Sequence, residues 1–292
     1  MSDKPEIDSY TNRYKPYSDF NFTSLWSWSI NNERQVSVLN GNLVVYFTDY
    51  ETNYPFLSFL GTNSTENTIV ALINWAKAEG LSSTLSLVPQ EVVDQLPVDT
   101  EFLIEEDIDN FDYIFDVSEL SYLEGRKYKT KKHLSRIFLN NNPDAVFEVF
   151  RYDDIGDVNR LLLLVEDWEK NKISNGKSDA KLQEKIGLKR LVDTLRRDEN
   201  IVISTLTLDG KIRAFSIDEI LVAGYATSHF VKADITYRGI YEFMNEKIAE
   251  YLHKNSVVYW NWEQDLGVKG LRSNKLSYRP VDFLKKYKIM QT

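Results

Sequence analysis

Twenty residues near the end of the chain, NWEQDLGVKGLRSNKLSYRP (261–280), set Glu263, Gln264 and Asp265 beside Lys269, Arg272, Lys275 and Arg279. Acyl-group transfer asks for such a set. It needs a base to take a proton from the acceptor, a donor to stabilise the oxyanion, and cations to hold the phosphates of a carrier. Glu263 or Asp265 can supply the base, Arg272 and Lys275 the donor and the phosphate contacts, and Tyr278 a neutral donor or proton relay. A carboxylate does this work only with a raised pKa or a substrate very close by. The competing reading is structural: Glu263 and Asp265 pair with Arg272 and Lys275 and pin a loop.

Placement of these residues follows from the elements around them. SVVYWNW has strand composition, so Glu263, Gln264 and Asp265 leave its C-terminal end, the edge where α/β sheets commonly put ligands. Gly267 and Gly270 permit a tight turn, after which Arg272, Lys275 and Arg279 recur at spacings of three and four, one face of a helix. A second basic stretch, RKYKTKKHLSR (126–136), carries six Lys or Arg. Arg126, Lys131 and Lys132 there are candidates for phosphate contact, against the ordinary alternative of a solvated helix face. The three histidines, His133, His229 and His253, show no metal-ligand spacing, so no metal is expected, and His229 reads as a satisfied core histidine. The tryptophans read as core or lobe-interface filling.

The chain has 292 residues, 42% hydrophobic and 27% charged, which is the composition of a folded protein with room for two lobes. There is no cysteine, which removes disulfides and thiol chemistry. The polar start, MSDKPEIDSY, does not read as a secretory signal, and the run Leu161 to Val165 is far short of the roughly 20 residues that span a bilayer. A cytoplasmic protein without transmembrane segments is expected. Net charge is −9, unevenly spread: residues 1 to 120 hold 20 Asp or Glu against 5 Lys or Arg, residues 121 to 292 hold 24 against 30. A polyanion would meet the second part.

Periodicity predicts a hairpin over 36–48 turning at Asn40, Gly41 and Asn42, a helix over 65–79 stopped by Gly80, and strands near 84–88, 100–106 and 112–117. Ser118 is the expected N-cap of a helical stretch broken around Gly125. A strand over 146–152, helices over 155–171 and 181–197, three successive antiparallel strands from 201, a helix after Arg238-Gly239 and the strand SVVYWNW complete the order. This divides the chain into an acidic lobe, 1–117, and a basic lobe, 118–292, both α/β.

Antiparallel strands, then an Arg-Gly turn, a helix and another strand, resemble an acetyltransferase fold of the GNAT kind. That fold holds the pyrophosphate of coenzyme A on a glycine-rich turn; here Arg238 and Gly239 fit, and Tyr241 stands where a second glycine belongs. Read together, YLEGRKYKTKKHLSRIF, HFVKADITYRGIYEFMNEKIA and NWEQDLGVKGLRSNKLSYRPV resemble the DUF2156 family, the soluble domain at the C-terminus of phosphatidylglycerol lysyltransferases. Asn261, Glu263 to Gly267, Gly270 to Arg272 and Lys275 to Tyr278 carry that family's pattern, and the likeness runs from about Phe20 to Lys288. The basic motif departs from it: Lys131, Lys132, His133 and Leu134 stand where the family tends to have Lys-Arg-Asn-His.

The resemblance implies two tandem GNAT-like lobes, each a mixed, largely antiparallel sheet flanked by helices, related to Fem-type aminoacyltransferases. It implies an aminoacyltransferase that takes its group from charged tRNA, needs no bound cofactor, and passes the group to a lipid, peptide or small-molecule acceptor. On the residues' types and placement, Glu263, Asp265 and Tyr278 are the catalytic candidates, and Arg272, Lys275, Asn261, Arg238, Lys131, Lys132 and Arg126 the substrate-binding ones. The expected partners are tRNA and a phospholipid headgroup or peptide acceptor at the membrane surface. Two alternatives stay open: an acyl-CoA-dependent N-acyltransferase using acetyl-CoA or a longer acyl-CoA, and a non-catalytic binding module on the same fold.

Overall fold

A computed structural model describes residues 3–29, 34–49, 52, 54–150, 162–163, 186–192 and 200–292. The chain divides into two compact units. One comprises residues 1–112, 264–269 and 283–292; the other comprises 113–263 and 270–282.

The first unit opens with α1 (Lys4–Thr11) and α2 (Phe22–Ser27), the latter capped by the Asn21 side chain, which accepts from the Ser24 N–H. The hairpin β1 (Gln35–Leu39) and β2 (Asn42–Thr48) turns at Asn40-Gly41 as expected. Then come β3 (Pro55–Leu60), α3 (Thr65–Ala78), β4 (Leu85–Pro89), the short α4 (Gln90–Val93) and β5 (Phe102–Glu106). Ile69, Leu72, Ile73 and Ala76, spaced three and four apart, give α3 one apolar face, which packs on Val44, Leu57, Phe59, Leu85 and Val88.

The second unit is built on β6 (Asp112–Asp116), α5 (Val117–Tyr122), α6 (Lys129–Asn141), β7 (Val146–Phe150), β8 (Ile201–Leu208), β9 (Lys211–Ile220) and β10 (Tyr225–Ala233). It continues with α7 (Ile240–Lys254), β11 (Tyr259–Asn261) and α8 (Lys269–Ser277). The chain ends with β12 (Asp282–Leu284) and β13 (Lys286–Gln291). The sheet orders are β1-β2-β3-β4-β13-β5 and β12-β6-β11-β10-β9-β8-β7. In the second sheet β8, β9 and β10 are antiparallel neighbours, whereas β10 and β11 run parallel.

Three expectations change. The cap of α5 is Asp116, whose carboxylate accepts from the Glu119 N–H at 2.9 Å while its backbone is extended; Ser118 already lies inside the helix. Arg279 lies past the end of α8 with φ of 59°, so it does not share a helical face with Arg272 and Lys275. The last strand, β13, has no counterpart in the sequence reading, and it enters the first sheet between β4 and β5. The helices expected over 155–171 and 181–197 fall largely outside the described residues, of which 186–192 are helical.

Candidate functional site

β10 and β11 pair only over Tyr225–Thr227 and Tyr259–Asn261. Beyond Thr227, β10 continues to Ala233 with no strand beside it on that side among the described residues. β11 stops at Asn261, and Glu263 follows two residues later, past the C-terminal end of that strand, with its side chain 22% exposed.

Cross-strand register decides which side chains share the face. Thr227 stands opposite Glu219 on β9 and opposite Asn261 on β11, so these three point to one side. The β9–β10 register slips between Ser228 and Phe230, making His229 the extra residue of a β-bulge, a device that re-aims a side chain. Its Nε2 lies 3.1 Å from Glu219 Oε2 and its Nδ1 3.3 Å from Glu263 Oε1. The Thr227 hydroxyl on the same face is fully buried and has no hydrogen-bond partner among the described residues.

Glu263 holds an unusual backbone conformation for a residue with a side chain, φ of 56°, which costs roughly 1–2 kcal/mol. Its neighbours over-determine it. The Asn261 side-chain oxygen accepts from the Glu263 N–H at 2.7 Å, and the Lys275 ammonium donates to the carbonyls of Trp262 and, at 3.1 Å, Glu263. Tyr113 N–H donates to the same Glu263 carbonyl. Lys275 is buried and lies 5.5 Å from the centre of the Tyr113 ring. Asn261 and Lys275, read as substrate contacts, thus act on the backbone that presents Glu263.

The other sequence candidates go to different places. Asp265 belongs to the first unit, fully buried, and its carboxylate accepts from the Gly267 N–H at 2.9 Å. Tyr278 is buried in the second unit: its hydroxyl accepts from Asn245 Nδ2, its ring meets Trp262 edge to face, and the Lys131 ammonium sits 3.9 Å from its centre. Lys131 also pairs with Glu242 at 3.3 Å; burial lowers its pKa, with Glu242 opposing. Lys132 donates to the Tyr122 carbonyl. Arg126 and Arg238 are exposed, and Arg272 is half-buried on α8. The structure therefore links Glu219, His229, Asn261, Glu263 and Lys275 through one set of contacts centred on Glu263. The sequence reading overlooked Glu219, although it lies ten residues before His229 on a hairpin.

Burial alone would lower the His229 pKa, but hydrogen bonds and charge from Glu219 and Glu263 outweigh it and push it up to about 9. On the opposite face of the sheet, Asp218 accepts from Ser216 and from Trp260 Nε1 at 3.0 Å; burial lifts its pKa to about 6 against those donors. Because folding raises the His229 pKa, the stability gained from its charge is complete below 6.5 and is lost as pH rises through 9. The free energy of urea unfolding should fall across that window by at most on the order of 3 kcal/mol, and His229→Gln should flatten it. The two carboxylates face opposite nitrogens of one ring, so the three cannot converge on a single ion. No group of three or more metal-ligating side chains is so placed among the described residues.

The sheets define an architecture of two tandem GNAT-like lobes. A tandem GNAT protein from the clavulanic acid biosynthesis pathway shares that fold at a TM-score of 0.51 and 9% identity, over 97% of this chain and 92% of its own. The chain belongs to the phosphatidylglycerol lysyltransferase C-terminal family, which matches residues 11–290. A protein of unknown function from Bacteroides thetaiotaomicron is similar at 26% identity and a TM-score of 0.84, covering 100% of this chain and 97% of that one. The C-terminal DUF2156 domain of a putative lysylphosphatidylglycerol synthetase from Agrobacterium fabrum superimposes at a TM-score of 0.70 with 15% identity, over 100% and 92% of the two chains. An uncharacterized protein of Mycoplasmoides gallisepticum is 23% identical over 187 residues, which are 63% of this chain and 57% of that relative's length.

Proposed function

We propose that the chain is an aminoacyltransferase that moves an aminoacyl group from charged tRNA to an amine or hydroxyl of a lipid, peptide or small-molecule acceptor. The observation that carries this reading is the Glu263 carboxylate, held by His229 and presented just past the C-terminal end of β11, in a chain of this family. The acceptor attacks the aminoacyl carbonyl and gives its proton to Glu263. The ester bond to the ribose then breaks, and the ribose oxygen takes that proton back. Atoms balance without a redox partner, metal or resident cofactor. The exposed cations Arg126, Lys129, Arg136 and Arg238 suit phosphates of a nucleic acid. A cytoplasmic site of action belongs to the same proposal. No helix among the described residues is long and apolar enough to cross a membrane, so a lipid acceptor would be met at a membrane surface.

One packing feature favours tRNA over an acyl-CoA donor. Where a GNAT-type turn would cradle a pyrophosphate, Gly239 packs against the Leu134 carbonyl so closely that an added Cβ would lie 2.1 Å from its oxygen. A carbonyl oxygen at the start of α7 repels phosphate instead of holding it.

Filter binding to bulk charged tRNA bearing labelled amino acids, with acetyl-CoA as competitor and salt varied, tests the reading. Salt-sensitive retention indifferent to acetyl-CoA, with loss of the ester label, is the expected result. Absent retention removes tRNA as donor; displacement by acetyl-CoA gives the site to an N-acyltransferase; retention without loss of label leaves a binding module. Glu263→Gln should cut transfer about 100-fold with tRNA retention unchanged, and an unchanged rate would remove Glu263 from the chemistry.

A further inference from the structure

Both ring nitrogens of His229 face carboxylate oxygens, Glu219 on one side and Glu263 on the other. A neutral imidazole carries one N–H and one lone pair, so it can donate to only one of them and must turn its lone pair on the other. Two N–H···O bonds require the imidazolium. The three groups then carry one net negative charge in a setting where an unpaired charge is costly.

Exposure gives the cluster a direction. The side chains of Glu219 and His229 are 2% and 3% exposed, and that of Glu263 is 22% exposed. The row begins inside the sheet and ends at a partly exposed carboxylate. Glu219 is anchored on a central strand, the bulge at His229 aims the ring, and Glu263 Oε1 is taken by Nδ1. The other carboxylate oxygen of Glu263 is the one left to meet an incoming group. Its backbone is held separately by Asn261 and Lys275, so side chain and main chain are fixed by different partners.

We propose that His229 and Glu219 form a charged brace that positions the Glu263 carboxylate, with His229 as the positioning residue and Glu219 as the anchor of its ring. The inference rests on the reading of Glu263 as the group that meets the acceptor, but the brace can be measured without any transfer. Titratable groups that act on His229 include Glu219 and Asp218 from β9 and Glu263 from the loop after β11. Lys275 reaches the Glu263 carbonyl.

The test is nitrogen NMR of the intact chain labelled in histidine, with His229 assigned by its disappearance in His229→Gln. In the wild type both His229 nitrogens should carry protons at pH 7. Glu219→Gln and Glu263→Gln should each lower the His229 titration midpoint by more than one pH unit. Glu219→Gln, an isosteric change that keeps the protein testable if His229→Gln fails to fold, should reduce kcat at least tenfold with KM little changed. Glu219→Asp should restore part of it.

A His229 with a single N–H at neutral pH, or a midpoint indifferent to Glu263→Gln, overturns the brace. A shifted midpoint with an unaltered kcat in Glu219→Gln overturns the positioning role. A wild-type chain that holds the imidazolium yet transfers nothing removes the transferase reading and the positioning role together, leaving a structural ion cluster.

Discussion

Replacing Lys286 with Met should cost about 3–5 kcal/mol of stability, the range for removing one partner of a buried ion pair. Lys286 is fully buried on β13, between β4 and the edge strand β5 of the first sheet, with its ammonium 2.7 Å from Asp112 Oδ1, 3.3 Å from the Ser18 hydroxyl and paired with Asp19. Burial works against its charge, but Asp112 and Asp19 outweigh that and hold its pKa above the usual value. Burial likewise pushes the Asp19 carboxyl up while Lys286 pulls it down. Without the ammonium, two buried carboxylates face each other and one must take a proton. The deficit of K286M in urea unfolding should therefore shrink as pH falls, and adding Asp112→Asn should recover part of it. A loss under 1 kcal/mol would mean that water reaches this cluster.

The same network shows how a motif can be legible while the destinations of its residues are not. Glu263, Gln264 and Asp265 read as one acidic and amide cluster leaving a strand, and the strand is there. Yet the boundary between the two units falls between Glu263 and Gln264. Glu263 goes to His229. Gln264 accepts from the Ser18 hydroxyl at 2.8 Å and donates to Asp19 at 3.2 Å, joining the Lys286 cluster, and Asp265 caps its own turn. Neither Asp19 nor Ser18 is marked by local pattern, because their partners stand more than 90 residues away. Lys275, read as a phosphate contact or as an ion-pair partner of the loop carboxylates, also holds the loop's backbone, since a buried ammonium with three donors can serve two carbonyls of a tight turn.

Local chemistry made much of the fold readable. Asn40-Gly41 is the turn a two-residue hairpin asks for, α3 carries an unbroken apolar face, and β8, β9 and β10 follow one another through short turns. What stayed hidden depends on distant pairing. KYKIMQ carries lysines at 286 and 288, which mark a surface segment by composition, yet the strand inserts between β4 and β5. Its Lys286 is tolerated there only because Asp19 and Asp112 are already inside. His229 read as a satisfied core histidine, and it is buried; the bulge that gives it a second carboxylate has no sequence signature.

Gly239→Ala should cost at least about 3 kcal/mol, because two penalties fall on one atom. The residue sits at φ of 86° at the start of α7, a conformation that disfavours any Cβ, and that Cβ would stand 2.1 Å from the Leu134 carbonyl oxygen and 3.3 Å from Phe138 Cβ on α6. Relief would require α6 and α7 to part. That separation would strain the Phe138–Phe243 ring contact at 5.0 Å, the Lys131–Glu242 pair and the Ser135–Glu246 hydrogen bond together. Gly210→Ala isolates the conformational part, since Gly210 has φ of 68° with open space around its missing side chain and should cost only about 1–2 kcal/mol. Urea unfolding of the two variants side by side measures the difference, which is the clash alone. If they lose the same amount, α6 does not seat its carbonyl against the start of α7. The packing argument against a diphosphate at that helix end would then fall, and acyl-CoA would return as a donor on equal terms with charged tRNA.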